Sequence, residues 1–134
     1  MDINKLITEA FEAQKNSYSP YSDCKVGAAI LCEDGSIFKG CNIENSSFSV
    51  TNCAERTALF SAVANGYSNF EAIAVVGSKE DNNDYFYPCG VCLQALSEFC
   101  SDGFLVIVAK SNNDYKSYKL SELLPYSFGR ENVL

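Results

Sequence analysis

Thr51-Asn52-Cys53-Ala54-Glu55-Arg56-Thr57-Ala58 opens one apolar-periodic segment that runs to Gly66, and Pro88-Cys89-Gly90-Val91-Cys92 opens another that runs to Cys100. The side chains of Thr51-Asn52 are suited to capping and Gly66 to stopping, so the first segment is predicted to be a helix. The second predicts a further helix, Cys89 to Cys100, with Cys92, Leu96 and Phe99 along one side. Between and beyond them, Ala72 to Gly77 and Phe104 to Ala109 are short, nearly all-apolar runs, the pattern of central strands covered on both faces. Upstream, Ile3, Leu6, Ile7, Ala10 and Phe11 recur at helical spacing behind the capping residue Asp2, which predicts an amphipathic helix over 3–15. Lys25 to Leu31 and Ser36 to Cys41 flank Glu33-Asp34-Gly35 and predict an antiparallel hairpin. Residues 42–50 and 78–87 read as polar loops, Tyr115 to Lys119 as an edge strand, and Leu120 to Leu124 as a short helical turn stopped by Pro125. This order predicts an α/β fold: a three-layer α/β/α sandwich around a mixed, about five-stranded sheet, with residues 1–134 in a single domain.

Composition narrows the function. With 134 residues, 47% hydrophobic and 20% charged, the chain has the make-up of a soluble globular protein, and no stretch approaches the length needed to cross a bilayer. A net charge of -7 with ten scattered basic residues argues against a nucleic-acid partner, because such partners are held by clustered Lys and Arg. No Gly-rich phosphate loop is present, which favours a neutral small molecule such as a free nucleoside. Met1-Asp2-Ile3-Asn4-Lys5 lacks the basic head and apolar run of a secretory signal. The seven cysteines are therefore expected to meet a reducing cytoplasm rather than form a disulfide framework.

Three of those cysteines, Cys53, Cys89 and Cys92, stand at predicted helix N-termini, where unpaired N–H groups and the helix dipole favour thiolates. In a chain without histidine they read as the three protein ligands of a catalytic Zn²⁺, the fourth position being left to water. Glu55 is then placed to take a proton from that water and pass it to a substrate nitrogen. Arg56 is placed to hydrogen-bond the sulfurs and offset the net charge of -1 that three thiolates leave on Zn²⁺. Plainer roles remain open: buried apolar cysteines, as assumed for Cys32, Cys41 and Cys100; a redox Cys-x-x-Cys; Glu55 as an N3 cap behind Asn52; Arg56 as a surface residue. A structural zinc module would need a fourth ligand, such as Cys24 or Cys41.

Ser19-Pro20-Tyr21-Ser22, Lys25-Val26-Gly27-Ala28-Ala29, Gly40-Cys41-Asn42-Ile43-Glu44-Asn45, Thr51 to Ala58 and Glu122-Leu123-Leu124-Pro125 together closely resemble the small homotetrameric cytidine deaminases. A Cys₃ zinc with a neighbouring non-ligand Glu and a Pro-Cys-x-x-Cys element is the recognised constellation of the zinc nucleobase deaminases. The resemblance spans nearly the whole chain. It implies a hydrolase of a cyclic-amidine C–N bond that converts cytidine and 2'-deoxycytidine to uridine and 2'-deoxyuridine plus ammonia, in pyrimidine salvage, with one zinc per subunit. It further implies that Asn42 and Glu44 hold the ribose, that the backbone at Ala54 and Cys89 holds the pyrimidine edge, and that Phe128 reaches a neighbouring subunit's site within a homotetramer. An apolar C-terminal segment, Leu123 to Phe128, fits such an assembly. Alternatives are a related zinc aminohydrolase acting on another cytosine nucleoside such as blasticidin S, or a non-catalytic zinc module. Three positions depart from the family pattern. Cys24 stands where an aromatic residue commonly lines the base pocket, so a wider pocket is expected; Leu93 replaces an arginine, and Phe48 a tyrosine.

Overall fold

The computed structural model describes residues 1–134. Asp2 caps the first helix, α1 (Ile3–Gln14), by accepting a hydrogen bond from the Lys5 amide. The helix places Leu6, Ile7, Ala10 and Ala13 on one buried stripe, as its 3.6-residue period requires. Strands β1 (Cys24–Cys32) and β2 (Ile37–Cys41) follow as an antiparallel hairpin. Gly35 sits at φ 93° in its turn, a conformation that favours glycine.

Helix α2 (Ala54–Ala64) leads into β3 (Phe70–Lys79) and β4 (Asn82–Asp84); α3 (Gly90–Phe99), β5 (Leu105–Ser111), β6 (Asp114–Lys119) and the short α4 (Leu120–Leu123) complete the order. The strands form one six-stranded sheet, β2-β1-β3-β5-β6, with β4 paired to β3. The pairing is antiparallel throughout except between β3 and β5, which run parallel across α3. The expected mixed α/β/α sandwich is therefore present, with one strand more than expected. The missed strand is Asn82-Asn83-Asp84, wholly exposed and polar, so no apolar alternation marks it.

Both sheet faces are covered. Leu6, Ile7 and Ala10 of α1 pack on Ala29, Ala72, Ala74, Val76 and Ile107. On the other face Ala58, Leu59 and Ala62 of α2 and Leu93 and Leu96 of α3 pack on Ala28, Ile30, Ile73, Val75, Val106 and Val108. Each of these larger aliphatic side chains contributes about 1.5–3 kcal/mol on burial. Small residues set the distance between the layers. A Cβ on Gly40 would lie 2.3 Å from the Ala58 nitrogen and 2.6 Å from the Ala54 oxygen, so α2 lies directly on the backbone of β2. That contact fixes where the start of α2, with its Cys53 and Glu55, stands over the sheet edge.

Candidate active site

Cys53 and Cys89 are the N-cap residues of α2 and α3, both with extended backbone, and neither side chain caps its own helix. Their sulfurs are thus free to face each other at 3.9 Å, and Cys92, one turn into α3, completes a group whose ligand atoms all lie within 4.8 Å of one another. A tetrahedral ion with Zn–S near 2.3 Å requires sulfurs about 3.8 Å apart. The donor set and spacing fit zinc, and the group of side chains able to share one ion consists of these three cysteines.

The cap positions correct one expectation. Because Cys53 rather than Asn52 is the N-cap, Glu55 lies at N2 and not N3, and the Asn52 side chain donates to Thr57 Oγ1 instead of capping. The capping-box role of Glu55 therefore falls away. Its carboxyl is 4% exposed and is pushed up to about 7, chiefly by burial, with the charge of Cys53 adding to the effect. A buried carboxyl that titrates near neutrality is suited to proton transfer.

Arg56 donates from Nη2 to Cys53 Sγ at 3.4 Å. A hydrogen bond from Cys92 and the Arg56 guanidinium lower the Cys53 thiol to about 5, while Cys92, fully buried, is raised by its hydrogen bond to Cys53 and by burial. Arg56 Nε is buried without a partner, and the guanidinium's contact with the cluster is made through Nη2. Leu93, in place of the family's arginine, is 8% exposed and packs into the core. Arg56 is the basic side chain hydrogen-bonded to the sulfurs.

Extended pairing brings in the other end of the site. Ile43 exchanges backbone hydrogen bonds with Asn52 at 2.9 and 3.0 Å, and Glu44 N donates to Tyr18 O. Alternation along this segment turns Asn42 and Glu44 toward the same side, where both line a cavity of about 250 Å³ together with Cys53, Ala54, Glu55 and Cys89. Asn42 Oδ1 accepts from Val26 N and Ser17 Oγ, and Nδ2 donates to Cys24 O. One amide hydrogen remains for a ligand. Glu44 accepts from Tyr21 N and from Ser22 N and Oγ. Desolvation raises its pKa, but these hydrogen bonds outweigh it and hold the carboxyl below its ordinary value.

Cys24 lines the same cavity, as expected, but so do Phe86 and Tyr87, which the reading of 78–87 as a polar loop overlooked. The signal was the aromatic triplet Tyr85-Phe86-Tyr87 directly ahead of Pro88. Phe128 lies elsewhere in its own chain: it is 62% exposed, and its carbonyl accepts from Gln94 Nε2 on α3. Phe48 is also exposed and meets Tyr21 edge-on at 5.7 Å between centroids.

A three-sulfur zinc cluster, a buried carboxyl beside it and a small cavity on a mixed α/β/α sheet define a zinc-binding deaminase domain. The chain belongs to the cytidine and deoxycytidylate deaminase family: the family's zinc-binding region matches residues 1–108. A cytidine deaminase from Sporosarcina psychrophila is 46% identical over 133 residues, which cover 99% of this chain and 96% of that protein. The crystal structure of cytidine deaminase from Burkholderia pseudomallei superposes with a TM-score of 0.87 at 43% identity, covering 96% of this chain and all 100% of that one. A blasticidin-S deaminase from Bacillus cereus is 35% identical over 117 residues, covering 82% of each chain.

Proposed function

We propose that this chain hydrolyses cytidine and 2'-deoxycytidine to uridine and 2'-deoxyuridine with release of ammonia, in pyrimidine salvage. The observation that carries this reading is one cavity that joins the zinc cluster and the buried Glu55 at one end to Asn42 and Glu44 at the other. Cys53, Cys89 and Cys92 would hold the ion. When bound, zinc supplies Lewis acidity toward the attacking water.

Glu55 takes a proton from the attacking water on a carboxyl oxygen and delivers it to the pyrimidine ring nitrogen as the water oxygen bonds to the amidine carbon; it then carries the remaining hydroxyl proton to the exocyclic amine, whose C–N bond breaks to release ammonia and leave the carbonyl. Arg56 keeps the cluster from becoming too electron-rich to polarise its substrate. At the far end the free amide hydrogen of Asn42 and the remaining lone pairs of Glu44 suit the ribose hydroxyls, which favours a nucleoside over the free base. The backbone at Ala54 and Cys89 borders the space between and is suited to the pyrimidine edge. This ribose grip also favours cytidine over blasticidin S.

The continuous sheet, covered on both faces, supports one domain over residues 1–134. No helix is long and apolar enough to cross a membrane. Exposed Phe128, Tyr126 and Val91 suit burial between subunits, and a homotetramer in which Phe128 enters a neighbour's site is the assembly proposed.

An ultraviolet assay with cytidine, deoxycytidine, cytosine and CMP tests the function. Turnover of the two nucleosides is expected, with cytosine and CMP poor. Comparable turnover of CMP would overturn the nucleoside assignment.

A further inference from the structure

Cys24 leaves the pocket without the aromatic side chain common at that position, yet an aromatic ring is present in the cavity. Strand β4 returns the chain along β3, and two residues later Phe86 lies over Gly77: a Cβ on Gly77 would come within 2.3 Å of Phe86 Cγ and 2.5 Å of Cδ1. Gly77 pairs with Val26 of β1, and Val26, Cys24 and Phe86 all line the cavity beside Cys53 and Cys89. Cys24 thus borders the cavity together with an aromatic residue from another segment of the chain.

The neighbours of Phe86 are held from outside. Tyr85 donates its hydroxyl to Asp114 at the start of β6 and lies under Lys116 Nζ, 4.5 Å from the ring centroid. Tyr87 meets Tyr118, with the hydroxyls 3.0 Å and the ring centroids 5.7 Å apart. Both flanking tyrosines are thus tied to β6, Tyr87 while also bordering the cavity, and the middle ring lies against Gly77, three residues ahead of Cys89. Gly77, near the end of β3, lacks a side chain and so leaves the space over the strand that the Phe86 ring occupies.

We propose that Phe86, seated on Gly77, is the in-chain aromatic wall of the base subsite and takes over the role that an aromatic side chain at position 24 would fill. The inference rests on the cytosine-nucleoside reading above. A planar pyrimidine gains from an aromatic face through offset or edge contacts beyond simple area burial, so Phe86 sets affinity for the base and not the proton transfers.

Phe86→Leu retains an apolar group over Gly77 but removes the aromatic face. In the zinc-loaded enzyme KM for cytidine is expected to rise about five- to tenfold with kcat within about threefold, and the Kd for uridine, measured by calorimetry, to rise in parallel. Adding Cys24→Phe to Phe86→Leu should bring KM back by at least about threefold, because the ring is then supplied from β1. Gly77→Ala, which displaces the Phe86 ring without deleting it, should raise KM in the same direction. An unchanged KM in Phe86→Leu, or no recovery on adding Cys24→Phe, would overturn the assignment. Loss of zinc and of kcat together in both Phe86→Leu and Gly77→Ala would make the ring a packing element and overturn it equally. If the unmodified enzyme turns over no cytosine nucleoside, the proposed function fails and this inference with it, whereas an active enzyme with indifferent variants rejects the aromatic wall alone.

Discussion

Arg56 Nη2 lies 3.4 Å from Cys53 Sγ, one turn further along the same helix. The guanidinium bears on both Cys53 and Cys92, and Leu93, buried in the core, cannot assist it. Arg56→Gln should therefore lower zinc affinity or kcat by about 10- to 100-fold, the usual effect of removing a partner of a metal ligand. Metal titration against a chromophoric chelator together with kinetics reads both. An activity within twofold of wild type would show that the sulfurs need no cation.

Zinc is expected at about one ion per chain, since three sulfurs and a water complete a four-coordinate shell. Cys89→Ala should lose that stoichiometry and the activity together, as measured by elemental analysis of the purified protein. Chelation of the unmodified protein should also lower Tm, because an ion that binds the folded state stabilises it. Full zinc content with intact activity in Cys89→Ala would remove that ligand.

Glu55→Gln separates proton transfer from structure. Glu55 lies at N2, outside a capping box, and the amide keeps the shape of the side chain in a site that is 4% exposed. Zinc content and Tm should hold, while kcat falls by about 100- to 10,000-fold. Retention of a tenth of the wild-type rate would deny Glu55 the proton-carrying role.

Gly40→Ala tests the seating of α2. The added methyl would press on the Ala58 nitrogen and the Ala54 oxygen, backbone atoms that cannot swing aside, so a cost of about 1–3 kcal/mol or more is expected. Urea denaturation measures it. Because the shift moves Cys53 and Glu55 with the helix, zinc affinity should fall as well; a neutral Tm with unchanged zinc binding would mean that α2 is held from elsewhere.

Phe128→Ala probes assembly. In a homotetramer with shared sites, light scattering should give the mass of four chains and the variant should bind cytidine more weakly, because Phe128 borders no part of the cavity in its own chain. An active monomer, or an unaffected KM, would refute the shared site.

Helix α1, the β1–β2 hairpin, the apolar cores of β3 and β5 and the zinc cysteines were legible because each is written in local pattern. Helical periodicity, an Asp-Gly turn, apolar runs and Cys-x-x-Cys spacing act over a few residues, and they constrain the chain wherever it folds. The resemblance carried Asn42 and Glu44 in the same way, by contiguous motif.

Other features depended on parts of the chain that meet only after folding. Strand β4 is polar and exists because Asn82 to Asp84 finds the edge of β3 at Gly77 to Lys79. Cys53 became the N-cap, ahead of the better capping residue Asn52, because Asn52 is already paired with Ile43. The neutral-range carboxyl of Glu55 comes from burial by surrounding elements, which a local motif cannot specify. Phe86 enters the pocket because tyrosines on either side bind β6 and because Gly77, nine residues earlier, has no side chain. Local order codes short-range preference, whereas burial, desolvation and close backbone approach are properties of surfaces brought together across the sheet.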